Sequence, residues 1–256
     1  MKPEVRRYPN LEALTNAAAE SIYTLAVECV NEEGVFTIAL SGGKTPESLY
    51  ENLAGPPYEA RMPWPHIHFF WGDERCVPSD HPDSNFAMAF RALISRVPVP
   101  SRNVHRIPSE IETPEGAAEA YEKILREFFR PSVQNDTHPQ ASDAGESFPS
   151  FDLILLGVGK DGHTASLFPG DRALEERKRW VAAIREPHGS PPVPRITLTL
   201  PMINRARCIL LMVSGFGKGE VLRSMLENRN SAARLYPAAR VNPEGRVIWL
   251  IDEEAV

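Results

Sequence analysis

Residues 35–50, VFTIALSGGKTPESLY, carry the reading on which the fold turns. Val35-Phe36-Thr37-Ile38-Ala39-Leu40 is apolar apart from one threonine, and so short an apolar run between glycines reads as a strand buried on both faces. A Gly42-Gly43 turn then leads into a short helix from Pro46, with Leu49, Tyr50 and Leu53 inward and Gly55 as its stop. A glycine turn from strand to helix leaves backbone N–H groups bare at the helix N-terminus, where an anion is favoured. Gly43-Lys44-Thr45 also matches the tail of the nucleotide-binding pattern G-x-x-x-x-G-K-[ST]. The first glycine of that pattern would fall on Ile38, inside the strand. A nucleotide loop is therefore excluded, and the identity of the anion stays open.

The same pattern repeats outward. A helix is expected over Leu11–Glu33, ended by Gly34, and further strands at 66–71 (HIHFFW) and 151–157 (FDLILLG). Later strands are expected at 180–184, 195–200, 208–213 and 247–251. A helix from Ser84 or Asn85 would bury Phe86, Phe90, Leu93, Ile94 and Val97. Another would open with Thr113 as N-cap and Pro114 at the first helical position, with Tyr121, Leu125, Phe128 and Phe129 inward. A last one would turn Val221, Leu222, Met225 and Leu226 to the core. Apolar strands alternating with amphipathic helices predict an α/β fold, a mostly parallel sheet with helices on both faces. One domain over residues 1–256 is expected, with a mobile surface loop at 131–150, where Pro, Ser and Asp displace any hydrophobic period.

A net charge of −6 with no basic stripe argues against a nucleic-acid partner. No apolar run is long enough to span a bilayer, and the N-terminus lacks the apolar core of a signal peptide. Cys29, Cys76 and Cys208 show no paired spacing, which suits a reducing compartment. A cytoplasmic protein, with no long apolar stripe demanding a partner and hence a monomer, is the expectation.

Four strands end in polar, glycine-rich segments: SGGKT, GDER, GVGKDGHTAS and SGFGK. In open parallel sheets, ligands bind beyond the carboxyl ends of the strands. His163 follows Gly162 in a tight turn, and an imidazole is the natural general base near neutral pH. Asp161 is placed to orient it. The same residues also read as an Asp-Gly turn followed by a helix cap. Asp73, Glu74 and Arg75 are candidate catalytic groups, two carboxylates and a guanidinium for an anion or a carbonyl, or else a local ion pair. Arg195, heading a strand, and Lys218, in a glycine-rich loop, suit a phosphate or are ordinary surface cations. His66 and His68 share a strand face, but no third metal ligand has matching spacing, and His81, His105, His138 and His188 follow no pattern. No G-x-S-x-G elbow surrounds any serine, so activated water fits better than a covalent intermediate.

With these segments assembled, the chain resembles the 6-phosphogluconolactonase family. The motifs are LSGGKTPESLY, FFWGDERCVPSDHPDSNFAMA, FDLILLGVGKDGHTASLFPG, PRITLTLPMINRARCILLMVSGFGKGEVL and PAARVNPEGRVIWLIDEEA, in the family's order over most of residues 10–254. DGHTASLFP separates lactonases from the related glucosamine-6-phosphate deaminases. Their pattern D-G-H-I-A-F-N-E-P places a glutamate where this chain has Phe168, and their D-E-Y stands where this chain has Asp73-Glu74-Arg75. The resemblance implies a Rossmann-like sheet, hydrolysis of 6-phospho-D-glucono-1,5-lactone, and no metal or cofactor. It implies that His163 transfers the proton and that Arg75 is an active-site arginine. Ser41, Gly42, Gly43, Lys44, Thr45, Arg195 and Lys218 are implied contacts to substrate or phosphate. Lys44 departs from the small hydroxyl residue many relatives carry. A deaminase or isomerase of aminosugar phosphates, and a sugar-phosphate sensor without turnover, are the alternatives.

Overall fold

The chain opens with β1 (Glu4–Tyr8) and α1 (Leu11–Glu33), then β2 (Phe36–Leu40), α2 (Lys44–Leu53) and the one-turn α3 (Tyr58–Arg61). β3 (Ile67–Trp71) continues through Gly72 into β4 (Asp73–Arg75), followed by α4 (Asn85–Ala92), α5 (Pro114–Phe128) and β5 (Leu153–Gly157). β6 (Val181–Ile184), β7 (Arg195–Leu198), α6 (Leu200–Ile203), β8 (Cys208–Val213), α7 (Gly219–Glu227), α8 (Arg229–Ala232) and β9 (Arg246–Asp252) complete it. The coordinates are a computed structural model describing residues 3–130, 148–186 and 189–256. Residues 131–147 of the expected loop, His138 and His188 lie outside the described residues.

Six strands form one sheet in the order β1-β9-β8-β5-β2-β3, and every pairing in it is parallel. β2 and β8 are buried at every position, as strands apolar on both faces must be. α1 packs Leu14, Ala18, Ala19 and Ile22 inward at 1% exposure or less. Truncating Leu14 to alanine there would cost about 2–5 kcal/mol. Asn10 caps its start by accepting from the Ala13 N–H, and Gly34 ends it at φ 78°, a left-handed geometry that favours glycine. Thr113 caps α5 as expected, its hydroxyl accepting from the Gly116 N–H at 3.1 Å.

Two buried tyrosines fix the carboxyl ends of adjacent strands in the same way. The Tyr50 hydroxyl donates to the Ser41 carbonyl (2.8 Å) and accepts from the Ser41 N–H (2.9 Å). Tyr121 does the same to Trp71, at 2.9 and 3.0 Å.

The structure corrects four details. The segments expected as strands at 180–184 and 195–200 leave the parallel sheet and build a second, antiparallel one, β4-β7-β6. The break comes at Gly72, whose N–H still donates to Leu40 while its carbonyl accepts from Leu198 (both 2.8 Å). β1 has no apolar run to announce it; among the described residues it is an edge strand paired with β9. Phe90 is 45% exposed, because Met88, Ala89 and Ala92 take the buried face of α4. α2 begins at Lys44, two residues before Pro46, where the missing proline N–H is one the first turn leaves unpaired anyway.

Candidate active site

The loops after β2, β5 and β8 converge with β4 and β7 on a cleft of about 220 Å³. Ser41, Gly42, Gly43, Asp73 and Arg75 line it, with His163, Arg195 and Lys218. Asp161, Glu74, Lys44 and Thr45 do not.

Pairing of β4 with β7 explains the division within GDER. The register sets Asp73 opposite Thr197, Glu74 opposite Ile196 and Arg75 opposite Arg195. Alternate residues of a strand share a face, so Asp73, Arg75, Arg195 and Thr197 turn one way and Glu74 the other. The Glu74 carboxylate is consumed there, accepting from the N–H groups of Arg75, Asn85 and Phe86 and from the Ser84 hydroxyl. It anchors the start of α4 and cannot reach the cleft, contrary to its expected place among the catalytic groups. Asp73 keeps the cleft face, its carboxylate accepting from the buried Ser166 hydroxyl at 2.6 Å.

Two guanidiniums directly opposite one another across an antiparallel pair repel. Arg195 is 4% exposed, and burial, with Arg75 adding to it, pulls its pKa below the usual arginine value despite the opposing pull of Asp73. Arg195 donates to the Pro191 carbonyl (3.1 Å) and Arg75 to the Asp83 carbonyl (2.7 Å). The Nε of each is buried without a protein partner among the described residues. Lys218 donates to the Ser214 carbonyl at 2.7 Å, and burial, reinforced by Lys160, lowers its pKa. Its loop is held by Asp252, which accepts from Ser214 and from the Gly215 N–H. The N-terminus of α2 opens beside these cations. Its cap residue Gly43 sits at φ 101°, and the Lys44 side chain points to solvent.

His163 stands at the end of the loop after β5. Gly159 donates to the His163 carbonyl (2.9 Å) and Gly162 to the Gly159 carbonyl (3.0 Å), closing a tight turn. Asp161 accepts from the His163 backbone N–H at 3.1 Å and meets Nδ1 at 2.5 Å. Burial pushes the Asp161 carboxyl up, but the hydrogen bonds and charge of His163 outweigh it, so it lies below its ordinary value. An ionised Asp161 can only accept, which places the proton on Nδ1 and leaves the Nε2 lone pair free. The turn tolerates no side chain at Gly159, where a Cβ would stand 2.1 Å from Nδ1. Phe168, fully buried, packs on the imidazole with ring centres 4.7 Å apart, and Arg195 lies over its ring.

Three contributors escape sequence reasoning. Asn85, read there only as a helix start, lines the cleft. Ser166 holds Asp73, and Ala165 lines the cleft at φ 47°, a left-handed conformation costing about 1–3 kcal/mol. The polar run Asp83-Ser84-Asn85 is the one local signal for Asn85; nothing local marks the other two. His66 and His68 do not share a strand face: His66 is exposed in the turn before β3, while His68 Nδ1 lies 3.0 Å from His105 Nε2, their rings stacked beside Phe70 and Phe128. Among the described residues no group of three or more His, Cys, Asp or Glu is arranged to hold a metal.

A histidine backed by a carboxylate, facing a cluster of cations at the carboxyl edge of a parallel sheet, defines a class of α/β proteins that act on small anionic molecules. Residues 9–249 match the glucosamine-6-phosphate isomerases/6-phosphogluconolactonase family, and the chain belongs to it. It is 41% identical over 255 residues to a 6-phosphogluconolactonase of Synechocystis sp., covering 100% of this chain and 98% of that protein. The crystal structure of 6-phosphogluconolactonase from Thermotoga maritima matches with a TM-score of 0.80 at 32% identity, over 98% of this chain and 100% of that one. The enzyme from Trypanosoma cruzi gives 0.84 at 30% identity, over 99% and 96%. A monomeric glucosamine-6-phosphate deaminase shares the fold, at 0.78 and 21% identity over 98% of each chain.

Proposed function

We propose that this protein hydrolyses 6-phospho-D-glucono-1,5-lactone to 6-phospho-D-gluconate, the second step of the oxidative pentose phosphate pathway. The observation that carries this reading is His163, its Nδ1 engaged by Asp161 and its face covered by Phe168. A deaminase of this family would set a carboxylate where Phe168 stands, so the apolar contact favours the lactonase.

His163 Nε2 takes a proton from water as the water oxygen bonds to C1 of the lactone. The carbonyl electrons move onto its oxygen, then return as the C1–O5 bond breaks. The imidazolium delivers its proton to O5, and the new carboxylic acid ionises. General base catalysis of this kind is worth roughly 10²–10⁴-fold. Asp161 holds the tautomer throughout. Arg75 faces the developing oxyanion, a role commonly worth about 2.7–4 kcal/mol per donor. Arg195, Lys218 and the backbone from Ser41 to Gly43 hold the 6-phosphate and so fix the angle of attack. Two adjacent guanidiniums suit a substrate that is anionic at one end and becomes so at the other.

The chain acts in this reading as a single-domain monomer. A cytoplasmic setting suits its three unpaired cysteines. Light scattering tests the first point. No helix among the described residues is long and apolar enough to cross a membrane.

The deciding experiment generates the lactone in situ and compares wild type with His163→Ala. Hydrolysis above the spontaneous rate by wild type, reduced about 10²–10⁴-fold in the variant at unchanged melting temperature, is expected. Binding of sugar phosphate by wild type without acceleration would overturn the reading in favour of a sensor.

A further inference from the structure

Asn85 is 1% exposed and lines the cleft, yet no described protein group donates to its Oδ1. Its amide orientation is set by the other atom. Nδ2 donates to the Asp73 carbonyl at 2.9 Å and lies 3.4 Å from the Asp73 carboxylate, so turning the amide over would face Oδ1 with two acceptors. Oδ1 points instead at Gly42, where a Cβ would stand only 1.8 Å away. The position is rigid, because the backbone N–H of Asn85 donates to buried Glu74 at 2.7 Å. A buried carbonyl oxygen without a donor is costly, by about 1–3 kcal/mol.

The chemistry of that atom selects its partner. It can only accept, so it repels the oxygens of phosphate and carboxylate and attracts an O–H. If the cations of the cleft take the anionic parts of a ligand, the neutral part is what remains for Asn85. Resting on the lactonase reading, we infer that Asn85 is a specificity-determining residue whose Oδ1 accepts a hydrogen bond from one ring hydroxyl of the sugar. Gly42 is kept side-chain-free to let it do so. A site built around such an acceptor rejects the analogue lacking the hydroxyl, because the acceptor is then left unpaired.

The test measures binding by calorimetry, with 1,5-anhydroglucitol 6-phosphate, a ring that cannot be hydrolysed, and its 2-, 3- and 4-deoxy forms. Wild type is expected to favour the parent over one deoxy form by about 10-fold or more. In Asn85→Ala that ratio should fall to about one at that position while the other two ratios hold. A purely structural role for Asn85 would weaken all four ligands alike. Gly42→Ala, which displaces the amide without deleting it, should reproduce the collapse and carries the test if Asn85→Ala does not fold. Ratios unchanged at every ring position in the folded variant, or no binding of the parent by wild type, would overturn the inference. Intact binding and discrimination with no lactone turnover would bring down the lactonase reading alone.

Discussion

The two edges of the six-stranded sheet treat their polar groups in opposite ways. At the amino edge, Asp152 is 6% exposed and its carboxylate accepts from the Thr37 N–H (2.8 Å), the Thr37 hydroxyl (2.7 Å) and Arg207 (3.1 Å). The Thr37 hydroxyl accepts in turn from the Asp152 N–H, and Arg207 also pairs with Glu33. Donors and acceptors close on each other. At the carboxyl edge, Arg75 faces Arg195, and among the described residues the Nε of each and Asn85 Oδ1 lack a protein partner. One edge is complete in the folded chain; in the lactonase reading the other awaits a ligand. Polar residues at a strand end thus serve folding or binding according to whether the protein itself satisfies them.

Substitutions at the open edge should damage activity and spare stability, and the reverse should hold at the closed one. The largest effect is expected from Gly159→Ala, since its Cβ displaces His163 from Asp161. Lactone kcat should fall by about 10²-fold or more with the sugar phosphate still bound, as steady-state kinetics and calorimetry would read. Lys218→Met should raise KM about 10-fold or more, while the melting temperature holds or rises because a desolvated cation is gone. Stabilisation by added 6-phosphogluconate should shrink in the same variant. Asp152→Ala should cost about 1–3 kcal/mol in urea unfolding by stranding the buried Thr37 groups, with kcat/KM unchanged. A falling kcat/KM there would break the contrast.

The smallest effect belongs to a third region. Burial, with His68 beside it, pushes His105 from 6.5 down to about 4, and His68 is lowered by burial as well. Between about 6.5 and 4 the unfolded chain therefore binds more protons than the folded one. This contribution is intact above about pH 6.5 and is lost as pH falls toward 4. His105→Phe should flatten that slope in denaturation midpoints taken across the window.

Legibility in the sequence follows how local the physics is. β2, β3, β5 and β8 are apolar on both faces and announce themselves, as does the α5 start, where Thr113 and Pro114 act within one turn. β4 does not, because Asp-Glu-Arg becomes a strand only through β7, more than a hundred residues away. The same pairing divides Asp73 and Arg75 from Glu74, so listing the three together was as far as the motif could go. The resemblance implies Lys44 and Thr45 as contacts beside Gly42-Gly43, yet α2 begins at Lys44 and aims its side chain outward. His163 and Asp161 were legible because two residues and a glycine turn contain their whole geometry. Asn85 was not, since its meaning lies in Asp73 and Gly42.

The tyrosine hydroxyls that clasp Ser41 and Trp71 also divide the molecule by timescale. Each closes a small ring with both backbone groups of one residue, so neither strand end can move without breaking two buried hydrogen bonds together. The Ser41 and Trp71 amides should therefore exchange with solvent only when the whole sheet opens, although Ser41 borders the cleft. In the loop that carries Lys218, Asp252 ties down Ser214 and Gly215, but Phe216 beyond them stands 74% exposed between two glycines at φ 82° and 87°. The wall held by the tyrosines is thereby tied to the slowest opening of the sheet, and the exposed tip at Phe216 to none of it.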